Sequence, residues 1–212
     1  MKSGIIFDMD GTLWDSSKQV VTAWNESVKK HGYGREPITS AEMQAVMGKP
    51  MDELSRILFP GVSDEQRALM LDTCGREEND YLRLHGGNLY PAIQKTLETL
   101  KNKYHLYIVS NCQSGYIEAF LDYYQFHDLF EDIECFGNNG FSKGDNIALV
   151  CKRNGLDNAV YVGDIQGDYD ASRQAGVQFI HAAYGFGRID EKVPSIGSFS
   201  ELTEVVGQIL GE

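Results

Sequence analysis

Ile5-Ile6-Phe7-Asp8-Met9-Asp10-Gly11-Thr12 is the stretch on which the fold turns. Three consecutive apolar residues, with no polar alternation, read as a strand buried on both faces, the kind found in a parallel sheet. Two carboxylates emerge together where that strand ends, and a glycine and a hydroxyl follow. A parallel strand ending in paired acids is where an α/β protein can hold a hard cation and a phosphoryl group. Asp-x-Asp-Gly also occurs in surface turns, where short acids bond their own backbone and glycine supplies the positive φ. Partners elsewhere in the chain have to decide between the two.

Working outward, apolar or β-branched runs at 5–8, 106–110, 133–136, 160–164 and 179–183 read as strands. Most are separated by segments of helical periodicity, the signature of an α/β fold with a doubly wound, Rossmann-like parallel sheet. A helix beginning near Ser114 places Ile117, Phe120 and Leu121 on one face, and another places Ile147, Val150 and Cys151 together before stopping at Asn154-Gly155. The gap between the first two strands is far longer than one crossover needs, and it reads as helical throughout. Val21, Trp24 and Val28 line one face before Gly32, a second helical stretch precedes Gly48, and Met51, Leu54, Ile57 and Leu58 form a third. A longer helix from Leu69 to Leu84 is interrupted by Gly75. Residues 16–87 are therefore expected to be an inserted α-helical cap domain, with 1–15 and 88–212 forming the α/β core. A cap placed there can cover the sheet's carboxyl edge as a lid.

The chain has 212 residues, and its 42% hydrophobic and 11% aromatic content is enough to bury a substantial core. No basic segment leads into an apolar stretch at the N-terminus, and no apolar run approaches the roughly 18 residues of a membrane span. A cytoplasmic protein is expected, monomeric or homodimeric. Cys74, Cys112, Cys135 and Cys151 lie far apart with no CxxC pair, and read as buried thiols. With 19 basic and 31 acidic residues, the net charge of −12 argues against nucleic-acid and anionic-membrane partners. The same field repels a phosphorylated ligand, so a phosphate site here must supply its own cations.

Each later strand ends in a residue able to contribute. Val109-Ser110-Asn111 offers a hydroxyl beside backbone amides, although an ordinary strand-end serine looks the same. Ser142-Lys143-Gly144 opens a helix with a lysine, which the helix dipole disfavours unless an anion offsets it. The fourth strand runs into Gly163-Asp164-Ile165-Gln166-Gly167-Asp168. Its acid spacing resembles a calcium loop only superficially, because Tyr169 and Ala175 occupy the glycine and glutamate positions. Asp164 suits a metal ligand; Asp168 suits either a supporting place in the site or the cap of the helix that ends before Gly176. Parallel strands aim their carboxyl ends at one crevice, so Asp8, Asp10, Ser110, Lys143 and Asp164 are expected to converge around Mg²⁺.

These pieces, Phe7-Asp8-Met9-Asp10-Gly11-Thr12-Leu13 with Asp15-Ser16, Ser110-Asn111, Lys143, and Gly163-Asp164 through Asp168, resemble the haloacid dehalogenase-type phosphohydrolase superfamily. Gly176 and Tyr184-Gly185-Phe186-Gly187 extend the likeness to its phosphoglycolate phosphatase-like branch with a helical cap. The resemblance implies a Mg²⁺-dependent phosphatase acting on a small phosphorylated metabolite through an aspartyl phosphate. Asp8 would be the nucleophile and Asp10 the proton shuttle. Thr12, Ser110, Asn111 and Lys143 would hold the phosphoryl group, and Asp8, Asp164 and the Asp10 carbonyl would bind the metal. Asp10 also sets the chain apart from dehalogenases, whose pattern lacks a second acid.

In the cap, Lys49 of Gly48-Lys49-Pro50 is a candidate substrate contact or a solvated turn lysine. Trp14 is expected either at the entrance or in packing, and Gln113 faces the site or solvent. A β-phosphoglucomutase-type hexose-phosphate mutase is the alternative within this architecture, and a non-catalytic phosphate-binding regulatory protein is the alternative outside enzymes.

Overall fold

A computed structural model of the chain describes residues 1–211. The decisive stretch forms β1 (Ser3–Phe7), which is hydrogen-bonded in parallel to β4 (His105–Ser110) on one side and β6 (Asn158–Gly163) on the other. With β5 (Asp132–Cys135), β7 (Gln178–Ala182) and β8 (Ser195–Ile196) the sheet has the order β5-β4-β1-β6-β7-β8, all parallel. Counting only these six strands, that is the 3-2-1-4-5-6 order of a Rossmann sheet, with its switch point between β1 and β6. Ligand chemistry is therefore directed to where Asp8 and Asp164 follow their strands.

The uninterrupted apolar runs are explained by two cores. Ile5, Phe7, Val160 and Val162 pack on one face of the sheet, while Ile6, Ala159 and Tyr161 pack on the other. Helix α8 (Lys143–Asn154) ends in the left-handed Gly155, and α9 (Gln166–Ala175) in the left-handed Gly176, as their asparagine and glycine signals indicate. The five expected strands are present to within two residues at each end. The sixth, β8, has only two residues and no apolar run to announce it.

Four helices lie between β2 (Trp14–Asp15) and β3 (Asn88–Leu89): α1 (Ser17–His31), α2 (Ser40–Gln44), α3 (Met51–Leu58) and α4 (Asp64–His85). β2 and β3 pair with each other antiparallel, so the strands leading into and out of the inserted helices are tied together. Trp14 is fully buried in packing, edge-on to Tyr116, Phe120 and Tyr124.

Two expectations about these helices need correction. Helix α4 is continuous through Gly75, which costs about 1 kcal/mol against alanine. The glycine serves close approach instead: a Cβ there would lie 3.2 Å from Gln113 Cγ. The expected apolar face of α3 is also only partly buried, since Ile57 is exposed, and α4 begins at Asp64, ahead of the expected Leu69, with Met70, Thr73, Cys74, Glu78, Asn79 and Leu82 on its buried side. Among the described residues all four cysteines are free thiols, and no helix is long and apolar enough to cross a membrane.

Candidate active site

Asp8 stands one residue beyond β1, with its amide still bonded to the Val162 carbonyl of β6 at 2.9 Å. The chain then folds back on itself: Thr12 and Leu13 donate to the Met9 carbonyl, and Gly11 donates to Trp14 at 2.9 Å. Gly11 (φ +85°) is required twice over. L side chains rarely adopt that conformation, and a Cβ would sit 2.1 Å from Asp164 Oδ2. The loop thus presents Asp8 and Asp10 in different directions.

Asp8 faces charge. Lys143, the first residue of α8, donates from Nζ to Asp8 Oδ1 at 2.9 Å and to Asp168 Oδ1 at 2.6 Å, and all three side chains are buried. The cost of a lysine at a helix start is thereby offset by two carboxylates. Burial opposes the ammonium's charge, but the Asp168 and Asp8 carboxylates outweigh it and hold Lys143 protonated well above its ordinary range. Burial, followed by the Asp168 charge, pushes Asp8 upward against the lowering influence of Lys143.

Asp164 accepts the Phe186 amide at 2.7 Å, and the Thr12 hydroxyl approaches it at 3.5 Å. Burial and the neighbouring Asp168 and Asp8 charges raise its affinity for protons. The Asp168 Oδ2 atom accepts the amides of Asp164 and Ile165 at 3.0 and 3.1 Å. Asp168 therefore caps the start of α9 and orients Lys143 at once.

Carboxylate oxygens of Asp8, Asp164 and Asp168 lie within 4.8 Å of one another, with Lys143 as the cation bonded to Asp8 and Asp168. Three buried acids outnumber that cation. Crowded hard oxygen donors of this kind suit a hard divalent cation, which would relieve both their desolvation and their mutual repulsion.

Asp10 faces hydroxyls instead. Its Oδ1 accepts from Ser16 Oγ at 2.6 Å and Tyr116 Oη at 2.7 Å, in a buried network closed by a 2.8 Å Ser16–Tyr116 contact. Burial raises its pKa to about 6, although those two hydrogen bonds pull the other way. Tyr116 begins α6 (Tyr116–Tyr124), just past the loop that follows β4.

Asp10, Ser110, Asn111, Gln113 and Lys49 line one cavity of about 40 Å³ between the sheet edge and the inserted helices. Asn111 donates to the Gly48 carbonyl at 3.0 Å, and Gln113 donates to Asn79 Oδ1 at 3.0 Å, so both join the sheet loop to the inserted helices. Lys49 is paired with Glu53 one helical turn away. Thr12 is buried with its hydroxyl toward Asp164 and its carbonyl bonded to Tyr184. Ser16, Tyr116 and Glu78 are cavity or network residues that sequence reasoning did not single out. Ser16 lay within the quoted motif, whereas Tyr116 and Glu78 had no signal beyond helical position.

Strand order and converging acids together define the class, a doubly wound α/β protein with a buried acidic cluster at the carboxyl edge of its parallel sheet. The chain belongs to the haloacid dehalogenase-like hydrolases, whose family model matches residues 5–182. It is 30% identical over 185 residues to a phosphoglycolate phosphatase of Synechococcus elongatus, covering 86% of this chain and 84% of that one. A phosphoglycolate phosphatase of Aliivibrio fischeri is also 30% identical, over 196 residues, with the same shares covered. In fold, the chain resembles a haloacid dehalogenase-like family protein of Streptococcus pneumoniae at a TM-score of 0.76 and 22% identity, over 96% of this chain and 98% of that one.

Proposed function

We propose that the protein hydrolyses a small phosphomonoester in a Mg²⁺-dependent reaction that passes through an aspartyl phosphate on Asp8. The observation that carries this reading is the division between the two acids of the loop: Asp8 lies against an ammonium, Asp10 among hydroxyls. Asp8, oriented by Lys143, attacks phosphorus while the ester P–O bond breaks, and Asp10 gives its proton to the departing alcohol. Water then attacks the acyl phosphate, Asp10 takes a proton back, and inorganic phosphate leaves Asp8 free. A pKa of about 6 leaves Asp10 able to do both jobs near neutrality.

Ser110, Asn111 and Thr12 are the candidate holders of the transferring oxygens. Asp8, Asp164 and the Asp10 carbonyl would hold the metal, which when bound neutralises charge on the phosphoryl oxygens. Both Asp168 oxygens are already engaged, which supports a positioning role for it. Residues 16–87 act as the cap and the remainder as the core. The names of the phosphoglycolate phosphatase relatives support a short metabolite ester as substrate, with sugar phosphates the other class.

The test is release of inorganic phosphate from a panel of small esters with Mg²⁺ and with EDTA. Metal-dependent release is expected. An isomeric sugar phosphate as product would point to a mutase, and no turnover of any ester would sink the enzymatic reading.

A further inference from the structure

Resting on the phosphatase reading, the cavity above Asp10 carries information about the leaving group. On the cap side it is lined by the carboxyl residue Glu78 of α4, only 3% exposed. The Trp24 indole N–H donates to Glu78 Oε2 at 2.5 Å, fixing the carboxyl within a wall that includes Met43, Met47 and Leu54. Among the described residues no buried cation accompanies it. Lys49 is the lone cation lining this cavity, its side chain is 37% exposed, and it is already paired with Glu53. Lys143 is committed to Asp8 and Asp168.

A substrate carboxylate placed here would leave water for a small, largely apolar chamber that already holds Asp10 and Glu78. Such burial without a paired cation is strongly disfavoured. A hydroxyl or an ammonium would instead give the Glu78 carboxyl a donor in addition to Trp24. Burial, with the Asp10 charge adding to it, pushes this carboxyl up to about 8 despite the Trp24 bond, so near neutrality it carries a proton that gives a substrate carboxylate a hydrogen bond but no countercharge, whereas an ammonium binds with release of that proton.

We infer that Glu78 is a specificity-determining residue that reads the leaving group, and that the substrate is a short phosphate ester bearing a hydrogen-bond donor, hydroxyl or ammonium, rather than a carboxylate. Trp24 fixes the carboxyl, and the small cavity limits the length of the ester. The two phosphoglycolate phosphatases reported above are named for a carboxylate ester, so this preference separates the chain from those names.

The experiment compares kcat/KM with Mg²⁺ for four matched esters: 2-hydroxyethyl phosphate, 2-aminoethyl phosphate, ethyl phosphate and phosphoglycolate, with p-nitrophenyl phosphate alongside. The wild-type enzyme is expected to favour one donor-bearing ester over both ethyl phosphate and phosphoglycolate by about tenfold or more, the worth of a good hydrogen bond. Which of the two donor esters leads tells hydroxyl from ammonium. In Glu78→Leu the ratio of the favoured ester to ethyl phosphate should fall towards one. The near-isosteric Glu78→Gln should keep a hydroxyl preference and lose an ammonium preference, and it guards against misreading a folding defect. Phosphoglycolate as the best wild-type substrate, or an unchanged ratio in both folded variants, overturns the role of Glu78. Cleavage of p-nitrophenyl phosphate with none of the two-carbon esters turned over also overturns it and leaves the phosphatase reading standing. No turnover of any ester sinks both.

Discussion

Asp8 and Asp10 are two residues apart on one tight loop, yet their neighbours could hardly differ more. Asp8 touches the Lys143 ammonium; Asp10 accepts hydrogen bonds from two hydroxyls. Asp8→Asn preserves the shape and removes the attacking carboxylate, so phosphate release should fall to background in a stopped assay while thermal unfolding still shows a folded protein. A variant keeping most of its rate would remove Asp8 as nucleophile. Asp10→Asn should behave differently, because a proton donor matters most when the leaving group is a poor one. Its kcat should drop by about 10²–10⁴ for an alkyl phosphate, the usual worth of general acid catalysis. The loss of the phosphorylation step should be much smaller for p-nitrophenyl phosphate, whose phenolate departs without help. Equal losses for the two esters in single-turnover phosphorylation would argue against the proton-shuttle role.

The elements matter because they bring those loops within reach of one another. Gly11, in the loop after β1, and Asp164, after β6, interlock where the strand order reverses, and a Cβ on residue 11 would overlap the Asp164 carboxylate. Gly11→Ala should therefore destabilise the fold by at least the ~1–2 kcal/mol of a left-handed alanine, and a denaturant midpoint will register it. It should also displace Asp164, so stabilisation by Mg²⁺ should be lost even where the variant remains folded. These junctions were legible in the sequence because apolar runs and glycine caps are local signals: β1, α8 and α9 follow from residues adjacent in the chain. β8 was not, since two residues paired to an edge strand carry no periodicity. Nor was the unbroken α4, in which a tertiary neighbour, Gln113, explains the glycine. The site divides in the same way. Asp8, Lys143 and Asp164 lie near strand ends whose direction topology dictates, while Tyr116 and Glu78 reach Asp10 and its cavity from helices whose rotation only packing decides.

Across the whole molecule, acids are in excess at every level, from a net charge of −12 to the carboxylate cluster at the switch point. That excess links metal, pH and stability with a definite sign. In the unfolded chain these carboxyls ionise near pH 4. In the folded, metal-free protein, burial first and neighbouring acids second raise Asp8 and Asp164 above that value. Above pH 4 the folded state therefore holds protons on these groups that the unfolded state has released. Their contribution to stability is full at low pH and declines as pH rises through their raised values. A divalent cation acts in the opposite sense, because it binds the ionised cluster and competes with those protons. The rise in Tm produced by a fixed concentration of Mg²⁺ should thus be small at pH 5 and grow towards pH 8, and calorimetric titration should show protons released on binding. Asp164→Asn, lacking one ionisable ligand, should lose most of the increment at every pH. A rise in Tm that is independent of pH, or that survives Asp164→Asn intact, would mean that Mg²⁺ stabilises the protein by screening its net charge and not by occupying the cluster.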